Sequence, residues 1–238
     1  MKRQQPILFS VALNGYYWVY RDCIESHRAY AKRMGYEYHC ISRPFVSKLG
    51  NECCWFKISI LLRLLRNGVE NVVVLDADTM ISNLAPSFDK VLAATEHLGM
   101  ARGVSGEYNS GVMFIKNTSQ TRHFLKQLLL RQGEKLGPDD PVGWGENGHI
   151  IDMLKTMPLA TDLPLIWNNT SNPSLRDYIR HYNNGPMRTS VIKRLFHRSL
   201  SSTTSKLTKL IGLFSFEQHL CRNWLEQESN RIFKRYSL

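Results

Sequence analysis

The chain has 238 residues, 43% of them hydrophobic and 11% aromatic. That is enough apolar material for one large α/β domain, and it excludes a disordered or fibrous chain. Its net charge of +11 is uneven: eleven Lys and Arg stand against five Asp and Glu over residues 1–75, ten against twelve over 76–185, and ten against three over 186–238. An acidic centre between basic flanks suits a polyanionic partner, whether a nucleotide diphosphate, an anionic membrane or nucleic acid.

No apolar stretch is long enough to span a bilayer. The five cysteines are odd in number and lack zinc spacing, so reduced thiols and a cytoplasmic location are expected. The apolar run Ile7 to Leu13 reads as a first strand ended by Asn14-Gly15, rather than as a leader. Residues 18–34 follow as an amphipathic helix closed by Gly35, and Tyr36 to Ser42 as a second strand. From Trp55 to Asn67 the residues Ile58, Leu61, Leu62 and Leu65 recur at helical spacing. The strand Val72 to Leu75 comes next. Two strands are expected over 99–103 and 111–115, then helices over 119–132 and from about Glu146 through Leu154. Leu163 to Trp167 and Arg180 to Tyr182 read as short strands.

The alternation of strand and helix predicts a mostly parallel sheet flanked by helices, an α/β fold of Rossmann-like type. It occupies residues 1–186. Residues 187–238 read as a basic, amphipathic helical extension: Val191, Ile192, Leu195, Phe196 and Leu200 share a face, with basic residues between them. That extension either packs back on the domain or rests on an anionic membrane surface, the inner face for a cytoplasmic protein.

The most informative segment is Val72-Val73-Val74-Leu75-Asp76-Ala77-Asp78. If the chain stays extended, Asp76 and Asp78 project from one face at the carboxyl end of a buried strand, where open α/β sheets seat ligands. Two convergent carboxylates repel unless a cation lies between them, and a hard divalent ion would suit. An exposed turn after a strand is the plainer alternative.

Four blocks together resemble the GT-A class of nucleotide-sugar glycosyltransferases, and most closely its retaining glycogenin-like and galactosyl/mannosyl transferase groups. They are Asn14-Gly15-Tyr16-Tyr17 after the first strand; Trp55-Phe56-Lys57-Ile58 leading to Asp76-Ala77-Asp78; Tyr108-Asn109-Ser110-Gly111-Val112-Met113; and His181-Tyr182-Asn183-Asn184-Gly185-Pro186. The resemblance covers residues 6–190. It implies a GT-A fold and transfer of a sugar from a nucleotide diphosphate, a UDP-sugar, to a hydroxyl of a glycan or lipid-linked glycan, with retention. A sugar transferase acting on modified DNA, or a silent nucleotide- or glycan-binding relative, is the alternative.

The resemblance also implies site residues. Asp76, Asp78 and His181 would hold the metal, Mn²⁺ rather than Ca²⁺ because an imidazole joins the carboxylates, with Mg²⁺ as the alternative. Asn14, Tyr16 and Tyr17 would seat the base, and Lys57, Ala77, Arg102, Asn109, Ser110 and Gly111 would line the donor. Asn184 and Gly185 would approach the phosphates. The family glycine three residues after the histidine is Asn184 here, and Arg188 stands where a lysine is usual. Glu146 and Asn147 are expected to hold donor-sugar hydroxyls or face the anomeric carbon. Asp140, in Asp139-Asp140-Pro141, competes for that role, and a helix-capping role for Glu146 stays open.

Overall fold

The structure is a computed structural model; it describes residues 5–43, 53–137, 145–183, 199, 202–203 and 218–238. Its centre is a six-stranded sheet built from β1 (Ile7–Val11), β2 (Glu37–Ile41), β3 (Asn71–Leu75), β5 (Leu98–Ala101), β6 (Val112–Lys116) and β7 (Ala160–Leu163). In space the order is β2-β1-β3-β6-β5-β7. The β1–β2, β1–β3 and β5–β7 pairs are parallel, and β6 runs antiparallel to both of its neighbours. The sheet is thus mainly parallel, as the alternating pattern predicts. A second, two-stranded sheet pairs β4 (Thr79–Ile81) with β8 (Ile179–His181).

Val72, Val73, Val74 and Leu75 are at most 1% exposed, because both faces of β3 are covered. On one side lies α3 (Trp55–Arg66), on which nine of twelve residues are buried. Its outer side is covered in turn by α5 (Ser119–Leu130) and by the C-terminal helix α7 (Gln218–Tyr236), whose Leu225, Ile232 and Phe233 join the same core. Arg63 lies over the Phe233 ring at 4.4 Å, and Ser59 and Ser229 hydroxyls meet at 2.7 Å. On the other side Tyr30, Phe88, Phe114 and Trp167 pack as an aromatic cluster beneath α2 (Arg21–Met34) and α4 (Asp89–Ala94).

Several local expectations are revised. The helix expected over 18–34 is two pieces, α1 (Tyr16–Val19) and α2, entered through Asn14 and Gly15 at φ 54° and 82°. Leu165–Trp167 is a 3₁₀ turn, not part of a strand; the strand β7 lies just before it. Pro164, lacking an N–H, ends pairing there and begins the turn. β4 and α4 were not anticipated, since three and six residues carry too little periodicity to read. The basic amphipathic stretch expected from 187 onward falls, up to residue 217, almost wholly outside the described residues.

Candidate active site

Sheet order places the site. β1 has β2 on one side and β3 on the other, so a crevice opens beyond the carboxyl ends of β1 and β3. Asn14 follows β1, and Asp76 follows β3, at that edge.

Asp76 and Asp78 do converge, but not by strand pleating. The chain turns at once after Leu75: the Thr79 N–H donates to the Asp76 carbonyl at 3.0 Å, and the Thr79 hydroxyl donates to the same oxygen at 2.8 Å. This β-turn, rather than an extended Asp-Ala-Asp, brings the two carboxylates round. Ala77, at the turn, is buried against Ala12 and Ile24, with Tyr16 and Tyr17 packed on that cluster.

The turn delivers the chain into β4, and β4 pairs with β8 so that Thr79 faces His181. The Tyr182 N–H donates to the Asp78 carbonyl at 2.9 Å. Asp76, Asp78 and His181 therefore present ligand atoms within 4.8 Å of one another, with His181 Nε2 3.2 Å from Asp78 Oδ1. Two carboxylates and an imidazole so placed could hold a divalent cation.

Asp76 also has a second partner behind it. Lys57 on α3, 3% exposed, lies 2.9 Å from Asp76 Oδ1 and 2.5 Å from Glu146 Oε1, and donates to the Ser110 carbonyl at 3.1 Å. Burial works against the charged lysine, but the two carboxylates beside it hold its pKa well above the ordinary value. Burial likewise opposes ionisation of Glu146, yet Lys57 and the Ser110 hydroxyl keep it below the usual carboxylate range. Asp76 is raised, because burial outweighs Lys57 and Asp78 adds like charge.

Glu146 and Asn147 start α6 (Gly145–Thr156) and grip the loop before β6. Glu146 Oε1 accepts from the Ser110 hydroxyl at 2.7 Å, and Asn147 Oδ1 accepts from the Ser110 N–H at 2.7 Å. Gly111 lies under the histidine: a Cβ there would sit 2.1 Å from His181 Cε1. Asn109 Oδ1 accepts from the Gly111 N–H at 3.0 Å. Thus Lys57, Asp76, Asp78, Asn109, Ser110, Gly111, Glu146, Asn147 and His181 form one connected constellation.

Arg102 stands apart from this network. It pairs with Asp162 at 3.1 Å and lies 4.3 Å over the Tyr108 ring. Tyr16 packs against Tyr20 with ring centroids 5.6 Å apart, and Tyr17 lies edge-on to Trp18, which is 62% exposed. Asp140, Asn184, Gly185 and Arg188 lie outside the described residues.

Two residues escaped the sequence reading. Fully buried His27 on α2 has Nε2 2.7 Å from the Thr79 carbonyl and Nδ1 3.1 Å from the Ser10 hydroxyl, so it braces the turn from behind. Asn168, 1% exposed, has its side-chain oxygen 3.0 Å from His181 Nδ1. Neither lies in a spacing pattern; only the fold brings them here.

The sequence profile of the nucleotide-diphospho-sugar transferases matches residues 18–142. The chain belongs to that family, and it is a glycosyltransferase. Among solved structures it is similar to a glycosyltransferase involved in glycosylation of the major capsid of PBCV-1, at 10% identity and a TM-score of 0.61, over 85% of this chain and 100% of the other. It is also similar to the glycosyltransferase GlyE of Streptococcus pneumoniae TIGR4 (13% identity, TM-score 0.53, 87% of this chain and 64% of the other). A third likeness is to the galactosyltransferase LgtC (13%, 0.52, 83% and 95%). At such identities these likenesses speak for the GT-A fold. No curated protein sequence matches the chain. Among the described residues, no helix is long and apolar enough to cross a membrane.

Proposed function

We propose that the protein moves a glycosyl group from a UDP-sugar to a hydroxyl of a glycan or lipid-linked glycan, with a divalent cation at Asp76, Asp78 and His181 and with retention of anomeric configuration. The observation that carries this reading is the convergence of those three side chains at the ligand-seating edge of a nucleotide-sugar transferase fold. The imidazole favours Mn²⁺ over Mg²⁺. When bound, such an ion supplies neutralising charge for a departing diphosphate.

The protein's own groups do the positioning. Lys57 restrains the Asp76 carboxylate, and Glu146 and Asn147 restrain the Ser110 segment from two sides. Asn14, Tyr16 and Tyr17, at the end of β1, are assigned to the base. Asn184, Gly185 and Arg188 are assigned to the diphosphate, and Arg102 to the donor's outer edge. The Glu146 carboxylate is engaged by both Lys57 and Ser110. A carboxylate so engaged is a poor nucleophile, which favours departure and attack on one face of the sugar over a covalent intermediate. The structural similarity to LgtC, a galactosyltransferase solved with donor and acceptor sugar analogues, supports a hexose donor.

A thermal-shift screen of nucleotide sugars tests this, since a bound ligand raises the apparent melting temperature by mass action. A UDP-sugar should raise it with Mn²⁺ present, and EDTA should remove the shift. Equal shifts with and without EDTA, or no shift from any nucleotide sugar, would defeat the reading.

A further inference from the structure

We propose that Asn168 is a positioning residue that fixes a proton on His181 Nδ1 and so aims the Nε2 lone pair at the cation site. For its metal arm the inference rests on the reading above; its proton arm stands on geometry alone.

Hydrogen-bond directions are forced one after another from Gly111 to His181. The Gly111 N–H can only donate, and it donates to the Asn109 side chain, which fixes that atom as Oδ1. One amide atom of Asn168 lies 2.9 Å from Asn109 Oδ1 and 3.2 Å from the Asn109 carbonyl oxygen. Both neighbours are acceptors, so this atom is Nδ2 and donates to each. The other amide atom is then Oδ1, an acceptor 3.0 Å from His181 Nδ1. His181 Nδ1 must therefore carry a hydrogen. Turning the Asn168 amide over would oppose two pairs of acceptors in a site where Asn168 is 1% exposed and His181 is 3% exposed.

With Nδ1 committed, only Nε2 can act as a ligand, and it is Nε2 that lies 3.2 Å from Asp78 Oδ1. A bare lone pair facing a carboxylate is repulsive, so the arrangement calls for a positive centre between them, either a metal ion or a second proton on Nε2 that a metal would displace. One face of the ring lies against Gly111, and His181 is 3% exposed. Asn168 thus links the loop holding Asn109, Ser110 and Gly111 to the histidine ligand. A partner behind a metal-bound imidazole commonly governs affinity by roughly 10–100-fold.

The test uses the full-length protein with ¹⁵N-labelled histidine, metal-free, alongside Mn²⁺ titration by calorimetry. In the unmodified protein, long-range ¹H–¹⁵N correlations should show a proton on His181 Nδ1. In Asn168→Ala that proton should leave Nδ1, and Mn²⁺ should bind at least tenfold more weakly. Asn168→Asp keeps the acceptor facing Nδ1 but sets its second oxygen against Asn109 Oδ1 and the Asn109 carbonyl, so it should be less stable yet, where folded, keep the Nδ1 proton. The Nδ1 correlation of the unmodified protein tests the proton assignment if neither variant folds. An unprotonated Nδ1 in the unmodified protein, Asn168→Ala binding Mn²⁺ with unmodified affinity, or loss of the Nδ1 proton in a folded Asn168→Asp would overturn the proposal. Absence of Mn²⁺ binding by the unmodified protein, with the Nδ1 proton still governed by residue 168, would sink the metal reading and leave this proton assignment standing.

Discussion

Thr79 pairs with His181 across the β4–β8 ladder, and this register carries an imidazole from the far end of the domain to the Asp76–Asp78 turn. A three-residue strand therefore assembles the site. The ladder needs the turn to be rigid, which is why the Thr79 carbonyl and hydroxyl are both held from behind by His27.

Gly111 is required by space, not by backbone freedom. A methyl group there would lie 2.1 Å from His181 Cε1 and 2.7 Å from Nδ1, far inside van der Waals contact. Gly111→Ala should displace the ring, cost about 1–3 kcal/mol of stability, and weaken Mn²⁺ binding at least tenfold. Calorimetry on the folded variant is the check. Unmodified affinity would mean that His181 is not a ligand.

Lys57 neutralises two carboxylates in a buried setting. Removing it in Lys57→Met leaves Asp76 and Glu146 without their shared cation, and should cost about 3–5 kcal/mol in urea unfolding. Adding Glu146→Gln should recover part of that loss. Additive losses in the double variant would show that the pair does not interact.

His27 gives a pH dependence with a defined sign. Burial pushes its imidazole down to about 4, partly opposed by its hydrogen bond to Thr79. Unfolded, it would titrate near ~6.5. Between these values the unfolded chain holds the extra proton, so stability rises with pH. The contribution is complete above ~6.5 and fades as pH falls towards the folded value, by a total on the order of 3 kcal/mol. His27→Gln, which can still donate to Thr79 but does not titrate, should flatten the urea midpoint over that window. An unchanged slope would place the acid sensitivity elsewhere.

The helix α7 is part of the catalytic unit's core. Leu225, Ile232 and Phe233 are 2–4% exposed against α3, the helix that carries Lys57. Phe233→Ala should destabilise the whole domain by about 3–5 kcal/mol in a single cooperative transition. A separate low-stability transition, with the remainder unaffected, would make the helix an independent appendage and support a boundary near residue 187.

Much of this site was legible in the sequence, and the reason differs by residue. The carboxylates could be singled out because Asp76 and Asp78 follow a fully apolar strand and stand among the other family-like blocks; the Asp-x-Asp pattern alone would equally have suited an exposed turn. Gly111 and Ser110 were found through a local block, although the reason Gly111 must be glycine, a ring against its face, was invisible. The extended chain on which the convergence of Asp76 and Asp78 is conditional in the sequence is not what forms; a period-2 argument cannot see that Thr79 bonds back to Asp76. His27 and Asn168 could not be read at all: each serves a residue far away in the chain, 52 positions on for His27 and 13 for Asn168. The helix α7 lies within the helical extension expected over 187–238, and packing back on the domain is one of its two readings from sequence; its apolar residues are too sparse in a charged helix to show which of them are buried.

The cation proposed at Asp76, Asp78 and His181 is one on which donor cleavage should depend. The most direct test is hydrolysis of a UDP-sugar by the unmodified protein and by Asp78→Ala, each with Mn²⁺ and with EDTA, after confirming that the variant folds. The expected result is Mn²⁺-dependent turnover in the unmodified protein, abolished by EDTA and absent in Asp78→Ala. Turnover by Asp78→Ala in EDTA at the unmodified rate would contradict the account.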